Sequence, residues 1–288
     1  LSKALIKHGK IVETLTNSPE KKGIDSQILA VHPLEFENEE GLIDSLKNTE
    51  VLYNTYWVRF NHKWFNHQQA VTNTFKLFYA AKKVGVKRIV HVSITNADSK
   101  SNLDYFRGKG EIEEYLKELE IEFTIVRPAV LFGGKDILIN NIAWSLRHLP
   151  LVGMPGRGKY HLQPIHVFDF AKQLADAGEK VGKNIEVALG PERYSYVDLL
   201  NMIKKELKLK TVIIPMPNRL AWLGAQILGY FLNDVMLTWP EVLGLRQETL
   251  WEDQDSTGKV HLREWVKKHK DTLGNEYHNE LDRRRKKG

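Results

Sequence analysis

A chain of 288 residues, 42% hydrophobic and 27% charged, holds one large globular domain or a domain with a smaller lobe; disorder and fibrous architectures are excluded by that balance. The absence of Cys excludes disulfides, thiolate metal sites and a Cys nucleophile, and it fits a reducing compartment such as the cytoplasm. The net charge of +6 is concentrated in Arg283-Arg284-Arg285-Lys286-Lys287, so the rest of the chain is nearly neutral and a basic body that tracks nucleic acid is not indicated.

Leu1 to Lys7 reads as the end of an amphipathic helix, closed by Gly9. Ile11 to Leu15 and Ile28 to Val31 are strand candidates, followed by a polar helix over 39–47. Val51-Leu52-Tyr53 is a short apolar strand. A long helix is predicted over 64–84, ending near Gly85. Arg88 to Val92 is β-branched and apolar; a helix over 105–119 follows, then a strand over 123–126. Short apolar strands that alternate with helices predict a parallel, doubly wound α/β sheet. Past Pro150 the rhythm changes, with turns at Gly153, Pro155, Gly156 and Gly158. Helices near 168–181, 196–207 and 217–232 mix there with strands near 186–189 and 212–214. The division expected is an α/β core over 1–150 and a smaller α/β lobe over 151–288. The apolar run from Leu220 to Leu232 falls short of the roughly 20 residues of a spanning helix, so it reads as buried or interfacial.

Tyr105 and Lys109 are four apart on a predicted helix and share a face. An ammonium beside a phenol favours the phenolate, which suits acid–base work on a carbonyl or hydroxyl. Tyr79 and Lys83 have the same spacing, but their helix precedes a strand. The Tyr105 helix follows the strand that ends His91-Val92-Ser93-Ile94-Thr95, and ligands of open α/β sheets bind outside the carboxyl ends of strands. Ser93 or Thr95 is the expected hydroxyl partner. His62 and His67 lie five apart, a spacing that does not put two ligands on one helical face, and no metal site is expected. Tyr53, Tyr56, Trp57, Phe60, Trp64 and Phe65 form an aromatic run with two readings, a wall for an apolar or planar substrate and packing of a loop onto the core. Glu111, Glu113 and Glu114 read as a solvated or salt-bridged helix face, and Arg127 as a partner for a carboxylate.

The stretch Arg88 to Ser93, then Tyr105 to Lys109, Glu113, and Thr124-Ile125-Val126-Arg127-Pro128-Ala129-Val130-Leu131-Phe132-Gly133, resembles the short-chain dehydrogenase/reductase superfamily. Gln163 to Ala171 adds to the likeness. Within the superfamily the chain is similar to the atypical, extended NAD(P)H-binding proteins, a group that includes the NmrA-like proteins and the Rossmann-fold accessory subunit of respiratory complex I. The resemblance implies Tyr105 as catalytic acid/base, Lys109 as ribose contact and Ser93 as substrate-orienting hydroxyl. It places the cofactor near Asn17 and Lys21, Glu35 and Phe36, Asn54 and Tyr56, and Pro128 and Val130. Neutral Asn17 with Lys21 and Lys22 nearby leans toward NADP over NAD. The family's first strand and glycine-rich turn would precede Leu1, so no Gly here is assigned to them. Weak or no dinucleotide binding by these residues, and a gap or unpaired edge in the sheet, are expected from that. An NAD(P)-dependent oxidoreductase acting on a small molecule, apolar or quinone-like, is the first expectation. A non-catalytic redox sensor or assembly module, and an NAD-dependent epimerase or isomerase, are the alternatives.

Overall fold

The computed structural model describes residues 1–19 and 25–284. It divides into two compact units, residues 1–127 with 170–187, and residues 128–169 with 188–288. The boundary expected at residue 150 lies inside the second unit.

The first unit opens with helix α1 (Ser2–Lys7), strands β1 (Glu13–Thr16) and β2 (Ala30–Pro33), helix α2 (Glu39–Asp44) and strand β3 (Val51–Asn54). Then come α3 (His67–Lys83), β4 (Arg88–Val92), α4 (Asp104–Glu118) and β5 (Glu122–Pro128). The chain continues through β6 (Leu131–Phe132), α5 (Leu138–His148), β7 (Leu151–Pro155), β8 (His161–Leu162) and β9 (Ile165–His166). It re-enters the first unit with α6 (Val167–Ala177) and β10 (Lys183–Ala188). The rest is β11 (Tyr194–Ser195), α7 (Tyr196–Glu206), β12 (Val212–Met216), α8 (Asn218–Leu232), α9 (Trp239–Arg246), α10 (Leu262–Lys268) and α11 (Glu280–Arg284).

The first unit holds two ladders. β1 pairs with β2 in parallel, and a second sheet has the order β10-β5-β4-β3, in which β3, β4 and β5 are parallel. Among the described residues no ladder joins β1 to β3. β4 has a neighbour on each side and is almost entirely buried, the environment its β-branched run fits. Phe78, Ile89, Ile112, Leu116 and Ile125 form the fully buried centre of this unit.

Local chemistry explains the element ends. Gly9 adopts φ +73° and its N–H reaches the Ile6 carbonyl at 2.9 Å, closing α1. The helix predicted from residue 64 begins only at His67. His62 and Phe65 exchange two backbone hydrogen bonds in a tight turn, and the Asn66 side chain caps the Gln69 N–H at 2.7 Å. Gly110 marks a close approach in α4. A Cβ there would stand 2.1 Å from the Ser99 nitrogen and 2.4 Å from the Asp98 carbonyl carbon. Gly110→Ala is therefore expected to cost about 3 kcal/mol, because backbone must yield on one side. Urea denaturation checks this, and a loss near zero would mean that the 98–99 segment gives way freely.

In the second unit β7 pairs with β12 and β6 with β9, both in parallel, and β8 pairs antiparallel with β11. Phe132, Ile139, Leu146, Met154, Leu162 and Ile203 lie in its buried core. No helix among the described residues is long and apolar enough to cross a membrane.

Candidate active site

The residues around the carboxyl ends of β3 and β4 converge on Trp57. Its indole face carries the Lys109 ammonium at 4.5 Å, its edge meets Tyr105 with ring centroids 5.7 Å apart, and His67 stacks on it at 5.6 Å. His67 also meets Tyr105 edge-on at 5.6 Å. Gly108 makes this seat. A Cβ on it would lie 2.9 Å from the indole Cη2 atom, so the missing side chain inside the Tyr105–Lys109 motif is filled by Trp57. The indole N–H is buried without a hydrogen-bond partner.

Lys109 is 2% exposed and donates to the Val92 carbonyl at 2.6 Å. Burial pushes its amine down to about 7, with Glu113 pulling the other way. The spacing thus puts Tyr105 and Lys109 on one face of α4, as read from the sequence, but that face is roofed by an aromatic ring.

Ser93 is buried, and its hydroxyl donates to Glu113 at 2.6 Å. Glu113 also accepts from Arg127 through Nε at 2.9 Å and Nη2 at 2.5 Å. Glu113 was expected on a solvated or salt-bridged face. It is salt-bridged, and 1% exposed, because α4 turns that side toward the ends of β4 and β5. Glu111 and Glu114 keep outward partners, Arg107 and Ser99. The Ser93 hydroxyl is thereby engaged in a buried network. Thr95, the alternative, is also fully buried.

Asn54, Tyr56 and Phe36 come together. Asn54 contacts His91 Nδ1 through Nδ2 at 3.0 Å, and its Oδ1 accepts from the Tyr56 N–H at 3.0 Å. The Tyr56 hydroxyl accepts from Asn73 at 3.0 Å, and its ring lies 4.9 Å from Phe36. Burial holds His91 well below the usual histidine range, with Lys109 acting in the same direction, so the imidazole is neutral. Glu35 is exposed beside this group. Pro128 and Val130 belong to the second unit, where Val130 joins the core and its carbonyl accepts from the Ile165 N–H at 2.8 Å.

A cavity of about 400 Å³ lies between the first residues, Leu1 to Lys3, and β1, with Thr14, Thr16, Ser18, Asp25 and Ile28 in its lining. Asn17 is exposed and does not line it, and Lys21 lies outside the described residues. Asp25, which sequence reasoning missed, does line it. Trp57 was read only within the aromatic run, His67 only as half of a rejected metal pair and His91 only as part of a strand; their gathering around Lys109 was missed. Gly108, one residue before Lys109, was the available signal for a ring packed on the motif.

Tyr79 and Lys83 make a surface pair, with the ammonium 5.5 Å from a ring that is half exposed. Among the described residues no group of three or more His, Asp or Glu side chains is placed to hold a metal. His166 is boxed by Phe132 at 5.1 Å and accepts from the Phe168 N–H at 3.3 Å.

The NAD(P)H-binding family profile matches residues 1–141. The chain is 26% identical over 186 residues to the mitochondrial NADH-ubiquinone oxidoreductase 40 kDa subunit of Neurospora crassa, covering 64% of this chain and 48% of that protein. It is 24% identical over 233 residues to the mitochondrial NADH dehydrogenase (ubiquinone) 1 alpha subcomplex subunit 9 of Rattus norvegicus, covering 78% of this chain and 56% of that protein. The chain spans about half the length of these curated relatives. A solved NADPH-dependent quinone oxidoreductase of Escherichia coli, complexed with NADPH, superposes with a TM-score of 0.75 at 18% identity, covering 92% of this chain and 93% of that one. That likeness shows a Rossmann-type α/β fold.

Proposed function

We propose that this chain, which matches the NAD(P)H-binding profile over residues 1–141 and is similar to the atypical, extended short-chain dehydrogenase/reductases, is an NAD(P)-dependent oxidoreductase with Tyr105 as acid/base. The observation that carries the reading is the shared face of Tyr105 and Lys109 on α4, just past the carboxyl end of β4. A bound nicotinamide would supply the hydride to a carbonyl carbon. The Tyr105 phenol gives its proton to the carbonyl oxygen, so the product is the alcohol, and the reverse reaction returns the proton to the phenolate. Lys109 steadies that phenolate and donates to a ribose hydroxyl once Trp57 leaves its amine.

The hydroxyl-lined cavity beside β1 would take the adenosine ribose. Asn17 and Lys21 support NADP. Asp25 favours NAD, since a carboxylate accepts from a 2′-hydroxyl and repels a 2′-phosphate. The quinone reductase likeness supports an apolar carbonyl or quinone-like substrate.

A second reading has its own observation. Trp57 roofs Lys109 and Glu113 engages Ser93, an arrangement suited to a module that binds a dinucleotide without turning it over. Nicotinamide fluorescence on adding NADPH or NADH, with turnover on a panel of quinones and carbonyls, separates the two. In the oxidoreductase, Tyr105→Phe retains binding within about threefold and loses about 10²–10⁴ in turnover. Trp57→Ala then tightens binding, because the ring no longer competes for the amine. Binding without turnover in any variant sinks the oxidoreductase reading.

A further inference from the structure

Helix α8 faces the wrong way for a globular protein. Its small residues Ala221 and Gly229 are the buried ones, while Leu220, Leu223, Ile227, Tyr230 and Phe231 are between 49% and 85% exposed. Steps of three and four residues put these five on one side of the helix. The strand before it behaves alike. Val212 and Ile214 of β12, and Leu151 directly opposite Val212 on β7, point outward at 36–54% exposure. An apolar surface of this extent marks a binding face.

Charge identifies the partner. The elements that build this face, β7, β12 and α8, contain no Asp or Glu, and Arg219 on α8 with Arg157, Lys159, Lys208 and Lys210 in the segments next to β7 and β12 supply cations. All five cations are exposed, and none enters an ion pair among the described residues. A second copy of this chain would set five cations against five, so self-association is disfavoured. We propose that this face docks onto an anionic lipid bilayer, with α8 lying in the headgroup region. At 15 residues α8 is too short to span the bilayer, and its Tyr and Phe tip suits the interface. The proposal stands apart from the dinucleotide chemistry, which it neither uses nor requires.

Flotation with phosphatidylcholine vesicles, and with vesicles in which about one third of the lipid is phosphatidylglycerol, tests it. The chain should float with the anionic vesicles, lose them as salt rises, and stay behind with phosphatidylcholine alone. Ile227→Gln with Phe231→Ser should weaken binding by about tenfold or more. Lys208→Gln with Lys210→Gln should weaken it on the anionic vesicles only. These side chains are exposed, so circular dichroism melts should match the parent. No flotation with anionic vesicles overturns the proposal. So does flotation unchanged by the apolar pair, or a dimer in solution that Ile227→Gln with Phe231→Ser dissolves.

Discussion

Lys109→Met is expected to raise the stability of the protein while weakening its hold on a dinucleotide. The Lys109 ammonium is almost fully buried, with the Val92 carbonyl and the Trp57 face as its close contacts. A Met of similar length fills the space without a charge to desolvate. The gain should be on the order of 1–3 kcal/mol at neutral pH, less the cost of leaving the Val92 carbonyl without its donor. Its pH dependence has a definite sign. The folded amine titrates near 7, below its unfolded value of about 10.4, so between these the unfolded chain binds more protons. Native stability therefore rises with pH across that window, and the advantage of Met is full below about 7 and shrinks above it. Thermal melts of both proteins from pH 6 to 9.5 read this directly. A Met variant less stable at pH 6 would mean that the amine is compensated by groups beyond Val92, Trp57 and Glu113. A residue that costs stability where it stands is the pattern of a functional lysine.

Glu113→Ala should do the opposite. Glu113 ties three elements of the first unit: α4 through its own backbone, β4 through Ser93 at 2.6 Å, and β5 through the two Arg127 contacts. Removing the carboxylate takes away both contacts it makes to a largely buried guanidinium and the acceptor of a buried hydroxyl, at a cost of about 3 kcal/mol. Ser93→Ala deletes a single hydrogen bond and should cost about 1–2 kcal/mol. Glu113→Gln keeps an acceptor for Ser93 and should fall between them. Urea denaturation of the three variants gives the order. If Glu113→Ala lost no more than Ser93→Ala, the Arg127 pair would contribute nothing.

The sheet was legible because its signal is local. Arg88 to Val92 is read as a strand from side chains alone, and burial on both faces follows from that composition. The start of α3 was misread because the aromatic pattern of residues 62–67 runs through a turn that backbone hydrogen bonds close. Glu113 shows the same limit on a helix face. Its carboxylate lies inward because the ends of β4 and β5 meet it there, and nothing within α4 announces that.

The sequence by itself determined the α/β class and the pairing of Tyr105 with Lys109 on one helical face, since periodicity and i,i+4 spacing are properties of neighbours in the chain. The tertiary structure alone decided that a tryptophan 52 residues before Lys109 seats in the notch of Gly108 and covers its amine. It also decided that an apolar run read as buried or interfacial presents its large side chains to solvent. Both depend on which distant surface arrives at a given face, and local composition does not encode that.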